Sequence, residues 1–254
     1  MIRAIKAIPI FLGPFITTVA MLVTHVVGLL DRPDEYVEAP PTISRLLTKA
    51  ELAEPFALAM IVAAFFLTIA ICQVGLFLYR SLRVVEPNVG KWAVLFAVCA
   101  ISESAAVVGM IVLSQYTGDI YPTLHDVGSY MLFFGHTIGF IMVGLLVRNA
   151  LVGLHQAQQE VPAALAGISS FPRRSVTIAV LSLLFGLVYF GGKLLPEGYF
   201  FWQRVVLSGL EIIVILSFLA YLVSFEPHIN AARKRRRNTS GTRAASTDLH
   251  VRAD

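Results

Sequence analysis

Four ionisable residues stand inside long apolar stretches of this chain: Glu103, flanked by Ser102 and Ser104, His136, Glu211, and His25 toward the far end of the first stretch. An ionisable side chain in hydrocarbon costs about 2.5–3.5 kcal/mol on insertion scales, so each needs a partner or a task. Counted at 1.5 Å per residue, Glu103, His136 and Glu211 each fall roughly 15–18 Å below the outer ends of their stretches. Three such groups at one depth could converge on the bundle interior. A Glu–His–Glu cluster would move protons, bind a cation or hold a polar head group, with imidazole titrating nearest neutrality. The plainer alternative is structural, with neutral carboxyls satisfied by Ser102, Ser104, Thr137 or Ser208 and locking helices together.

A second group lies at the rim, where His125-Asp126 opens the fourth stretch, Tyr116, Asp119 and Tyr121 precede it, and Arg204 opens the sixth. Histidine, acid and arginine beside an apolar bundle suit a lipid head group. Asp126 equally suits a helix start, where a carboxylate meets the positive end of the macrodipole. The catalytic candidates are therefore His125, Asp126, His136, Glu103 and Glu211, and the head-group candidates are His125, Asp126 and Arg204.

Lipid must position these residues. The chain is 57% hydrophobic and only 14% charged, with a mean hydropathy of +0.75, whereas soluble domains carry about a quarter charged residues. Six apolar spans can be read, Ala7–Leu30, Pro55–Tyr79, Trp92–Gln115, His125–Val147, Ser175–Leu195 and Phe201–Phe225. Each matches a hydrocarbon core of about 30 Å. Strands would leave backbone groups unpaired there, and the alternation of barrel strands is missing. The expected fold is thus an all-α bundle of six transmembrane helices over residues 1–225, followed by a basic, disordered tail over 226–254. The run after Arg3 and Lys6 is too long for a signal core of about 7–15 residues and reads as the first span.

Basic residues set the expected orientation. Arg3, Lys6, Arg80, Arg83, Lys91, Arg148, Arg173, Arg174 and the cluster Arg233, Lys234, Arg235, Arg236, Arg237 fall on one side, against Arg32, Arg45, Lys49, Lys193 and Arg204 on the other. Both termini are expected in the cytoplasm, and the sequon Asn238-Thr239-Ser240 is expected to be unused. The tail cluster would attract anionic lipid at about 1 kcal/mol per charge. Gly135 and Gly139 let a second helix approach closely, and Pro40-Pro41 is expected to hold the long 31–54 loop off the helix ends.

Other classes lack their residues. Cys72 and Cys99 sit in apolar runs as packing thiols, so neither a disulfide framework nor a cysteine metal site is expected. There is no nucleophile elbow, zinc helix, phosphate loop or dinucleotide fingerprint. Two bis-histidine haem sites would need more paired membrane histidines. No cofactor or metal is expected, and nucleic acid is excluded as a partner, because the basic residues sit where they orient helices.

Short motifs then align in order along most of the chain: Pro40-Pro41-Thr42-Ile43-Ser44, Glu54-Pro55, Leu78-Tyr79-Arg80, His125-Asp126-Val127-Gly128 and Glu211. In these the chain resembles the Frag/DRAM/Sfk group of six-helix membrane proteins, also described as the Cwh-type amino-terminal domain. Arg45-Leu46-Leu47 and the Glu54-Pro55 order depart from the usual pattern. Glu103 between serines resembles the branch that remodels GPI-anchor lipids, and His125-Asp126-x-Gly128 resembles the autophagy-modulator branch; both stay open. The resemblance implies membrane-lipid biology: GPI lipid remodelling, phospholipid organisation with phosphoinositide-kinase regulation, or autophagy control. The expectation is a multi-pass protein of the plasma membrane or endomembranes, with lipids and a possible membrane protein as partners, that engages head groups without chemistry of its own. The alternatives are a lipid-remodelling acyltransferase or hydrolase with a His/acid site, and a proton-coupled transporter.

Overall fold

The computed structural model describes residues 8–38, 41–48, 50–85, 89–156, 158–192, 194 and 200–235. Six long helices carry the apolar spans: α1 (Leu12–Asp31), α2 (Ala50–Val85), α3 (Ala93–Gln115), α4 (Pro122–Gln156), α5 (Phe171–Gly192) and α6 (Phe200–Val223). Each is long and apolar enough to cross a membrane, and no strand occurs among the described residues. The span boundaries read from hydropathy lie within a few residues of most helix ends. They fall short where α2 and α4 continue with polar residues, because hydropathy reports the part of a helix in hydrocarbon and not the turns that leave it. At 35 residues, α4 is roughly 50 Å long and outlasts the hydrocarbon core. Its last turns carry exposed Arg148 and Asn149.

Each long helix packs against the next in sequence, and the circuit closes between α6 and α1 along a much shorter contact than any consecutive pair makes. The most extensive packing joins α3 to α4, and glycines permit it. A methyl group added at Gly135 would fall 2.6 Å from the Ser102 carbonyl oxygen, and one at Gly109 would fall 2.5 Å from the Leu132 backbone nitrogen. In lipid, where apolar surface gains little by leaving its solvent, such backbone proximity supplies the attraction through dispersion. Gly135 and Gly139 thus serve packing within the chain. Large aromatic side chains fill the interior, among them Phe140, Phe171, Phe218 and Phe225, all nearly fully buried.

The two ends of the described chain meet. The Gln73 amide donates to the Ile8 carbonyl (2.8 Å) and accepts from Arg233 (2.5 Å). The end of the bundle holding Ile8, Val85, Gln156 and Arg235 is called the tail end below, and the opposite one the loop end. After a turn at Ser224-Phe225, residues 226–235 are again helical, with Ile229 buried. The first part of the expected tail is therefore folded onto the bundle. Arg236, Arg237 and Asn238-Thr239-Ser240 lie outside the described residues, as do Pro40, Lys49 and Lys193.

The long loop corrects an expectation. Far from standing off the helix ends, it re-enters the bundle: Pro41, Ile43, Leu46 and Leu47 are buried, and the short helix Ile43–Leu46 reaches Glu211, roughly three turns into α6. The backbone must find partners at that depth, and the Ile43 N–H donates to Glu211 Oε2 at 3.1 Å.

Candidate functional site

The α3–α4 contact creates the most polar point of the interior. Glu103 on α3 and His136 on α4 are each 3% exposed, and His136 Nδ1 lies 2.8 Å from Glu103 Oε2. The glutamate reaches this position because Gly139 has no side chain; a Cβ there would overlap the carboxylate. The imidazole stacks on Phe140, with ring centroids 5.5 Å apart and planes at 14°, and meets Phe218 of α6 at 5.2 Å. Position and rotamer of both polar groups are therefore fixed by packing. Glu103 Oε1 has no hydrogen-bond partner among the described residues. The Cys99 thiol, one turn before Glu103, points to the Gly139 carbonyl (3.6 Å).

Chemically this is a shared-proton pair. His136 Nδ1 and Glu103 Oε2 are close enough to share one proton, and the contact orients the ring with Nε2 on its opposite side. The free lone pairs of Oε1 give the pair room for one more hydrogen bond or proton.

The third member of the expected cluster is elsewhere. Glu211 is buried but holds Ile43 of the re-entrant loop, and seven residues separate it from Phe218, a gap of roughly 10 Å along one face of α6. A Glu–His–Glu centre does not form. Equal counting from helix ends fixes depth only, and depth does not say which neighbour a side chain meets. Thr137 does not satisfy Glu103 either: its hydroxyl donates to the Phe133 carbonyl (2.7 Å) and bonds the Ser182 hydroxyl (2.8 Å), joining α4 to α5.

At the loop end the rim residues are used structurally. His125 Nδ1 lies 2.9 Å from the Tyr116 carbonyl, tying down the 116–121 turn, and Asp126 accepts from the Tyr189 hydroxyl of α5 (3.0 Å). Since α4 begins at Pro122, a position that proline favours, Asp126 lies inside the first turns and is not the cap. Asp119 is exposed; the Thr117 hydroxyl, then the backbone N–H groups of Asp119 and Ile120 and the nearby His125, hold its carboxyl below the usual range against a smaller opposing effect of burial. Arg204 is exposed and is not bonded to His125 or Asp126. His25 belongs to the loop, since the Tyr36 hydroxyl donates to its carbonyl (2.9 Å) and sits 3.3 Å from Nδ1.

Two polar features escaped the sequence reading. Ser175 donates to the Phe140 carbonyl (2.7 Å) and bonds the Tyr221 hydroxyl (2.9 Å), linking α4, α5 and α6 one turn from His136. Gln73 joins the chain ends. Each is a neutral polar residue in an apolar span, a weak signal that points to a partner without naming it.

Charge separates between the two ends. Arg83, Arg148, Arg173, Arg174, Lys234 and Arg235 are exposed at the tail end, with Arg80 and Arg233 half-buried. The loop end mixes exposed Asp31, Asp34, Glu51, Glu54 and Asp119 with Arg32, Arg45 and Arg204. Among the described residues no group of three or more His, Cys, Asp or Glu side chains is placed to hold a metal ion.

Six apolar crossings around a sparse buried polar core define an integral, multi-pass α-helical membrane protein. The family model described as Frag1/DRAM/Sfk1/Cwh43P N-terminal domain matches residues 6–228, and the chain belongs to that family. No curated protein and no solved structure matches it.

Proposed function

We propose that this protein binds anionic phospholipid head groups through its tail end, in the service of membrane lipid organisation or remodelling, with that end facing the cytoplasm. The observation that carries this reading is the concentration of exposed arginine and lysine at the tail end, on helix ends whose neighbouring turns lie in hydrocarbon. Such cations sit at the level of lipid phosphates and attract anionic lipid at about 1 kcal/mol each. The rim formed by His125, Asp126 and Arg204 is the weaker head-group site, since two of its members are committed to Tyr116 and Tyr189. The test is native mass spectrometry of the protein from nanodiscs of phosphatidylcholine with or without phosphatidylserine or a phosphoinositide. Retained lipid should be anionic, and Arg173→Gln with Arg174→Gln and Lys234→Gln should lower its retention. Equal retention of zwitterionic and anionic lipid defeats the proposal.

A second reading, proton transfer, draws on the Glu103–His136 pair and its unpartnered Oε1. It requires pH-driven flux in proteoliposomes that is lost in Glu103→Gln; absence of flux in the unaltered protein removes it. For the lipid-remodelling enzyme, His125 Nδ1 is held by the Tyr116 carbonyl, which leaves Nε2 as the position that could accept a proton, and Asp126 is bonded to Tyr189.

A further inference from the structure

The α1–α6 seam combines three features. It is the shortest contact in the circuit of helices. The space beside it is occupied by the Ile43–Leu46 turn, which is not a spanning helix. The turn is attached at both sides: a Cβ on Gly28 of α1 would fall 2.6 Å from Leu46 Cδ2, and Ile43 N–H is bound by Glu211 of α6. What the turn buries is apolar, with Ile43 6%, Leu46 0% and Leu47 3% exposed. Glu211 is the polar anchor, set beside buried Ser208 one turn away on α6. The two flanking helices carry exposed apolar side chains, among them Leu22, Val26 and Leu29 of α1 and Val206 and Ile213 of α6, surface suited to lipid hydrocarbon.

We propose that the Ile43–Leu46 turn is a plug, latched by Glu211, that closes a lateral opening between α1 and α6 onto the bilayer, and that a lipid acyl chain occupies its place when the latch releases. The exchange is chemically even on the apolar side, because branched aliphatic side chains and an acyl chain fill the same slot with the same kind of contact. The latch sets the balance: releasing it leaves the buried Glu211 carboxyl and a backbone N–H unpaired, a costly way to break a hydrogen bond. The Glu211 carboxyl, set among apolar neighbours, also gives the loop a polar partner inside the bundle. The plug acts at the loop end and needs no anionic lipid, so it stands apart from head-group binding at the tail end.

The test uses the full chain in phosphatidylcholine vesicles containing a phosphatidylcholine with a photoactivatable acyl chain, reading label on Met21, Thr24 and Ser208 by peptide mapping. Glu211→Ala should raise that label roughly tenfold, as loss of the hydrogen bond that holds the turn, with its buried N–H left unpaired, implies. Glu211→Gln keeps an acceptor for Ile43 N–H and should label like the unaltered protein. A Gly28→Cys, Leu46→Cys pair should form a disulfide on oxidation that suppresses the label, and reduction should restore it. Equal labelling of the oxidised and reduced pair, or failure of the disulfide to form in folded protein, overturns the plug. The cysteine pair decides the matter even where Glu211→Ala does not fold, and a lipid without net charge as probe keeps the outcome separate from that of anionic-lipid binding.

Discussion

His136 and Glu103 satisfy each other in a place where neither is tolerated alone. Replacing His136 by Ala leaves a buried carboxylate without its donor, and breaking a buried pair from one side costs about 3–5 kcal/mol. Glu103→Gln retains an acceptor for the imidazole N–H and should cost about 1 kcal/mol. The comparison is made by thermal unfolding in one detergent; equal losses from the two variants would mean that the pair does not hold the interior together. Tyr189→Phe removes the hydroxyl that Asp126 accepts, a half-buried bond worth about 0.5–1.5 kcal/mol. Its effect should be confined to the α4–α5 contact at the loop end, visible as faster hydrogen exchange there with little change in the unfolding midpoint.

Among the helices, α3 and α4 form the unit on which the interior is built, and glycine controls it. Gly135→Leu places a side chain against the Ser102 carbonyl and Ala106, and overpacking of this kind costs about 1–3 kcal/mol. Gly186 of α5, with nothing within 4 Å of an added Cβ, should accept the same substitution without loss of stability. A protein that suffers equally from both changes would contradict the packing described. This scale also shows how far the sequence could be read. The six helices were legible because hydrocarbon leaves a chain few options, and the small-residue spacing of Gly135 and Gly139 was legible because close approach requires it. The Glu103–His136 contact was legible only as a demand for partners. What pairs with Glu211 was not: the donor is a backbone N–H, which every residue but proline carries, so no side chain marks Ile43 for that role. For the same reason a loop that returns into the bundle looks in sequence like one that stays outside.

For the molecule as a whole, the uneven distribution of cations is the basis of the proposed orientation. The proposal of a cytoplasmic tail end predicts that, in protein at the cell surface, a cysteine placed at exposed Asn230 reacts with a membrane-impermeant maleimide only after the cells are permeabilised, while one at exposed Glu54 reacts in intact cells. The reverse pattern would invert the orientation, and reaction of both in intact cells would contradict an even number of crossings.

The latch has a consequence for biosynthesis. Ile43 and Glu211 are 168 residues apart in the chain, and Gln73 and Arg233 are 160 apart. Until the final helix leaves the translocon, the early loop therefore has no acceptor and the first crossing no neighbour on one flank. Newly made chains pass through a stage with five helices in place and an unclosed side, and membrane chaperones that survey exposed polar groups would meet the protein then. Chains truncated before α6 should accordingly be degraded rapidly in pulse-chase labelling, and a half-life equal to that of the full chain would show that closure is not what completes the fold.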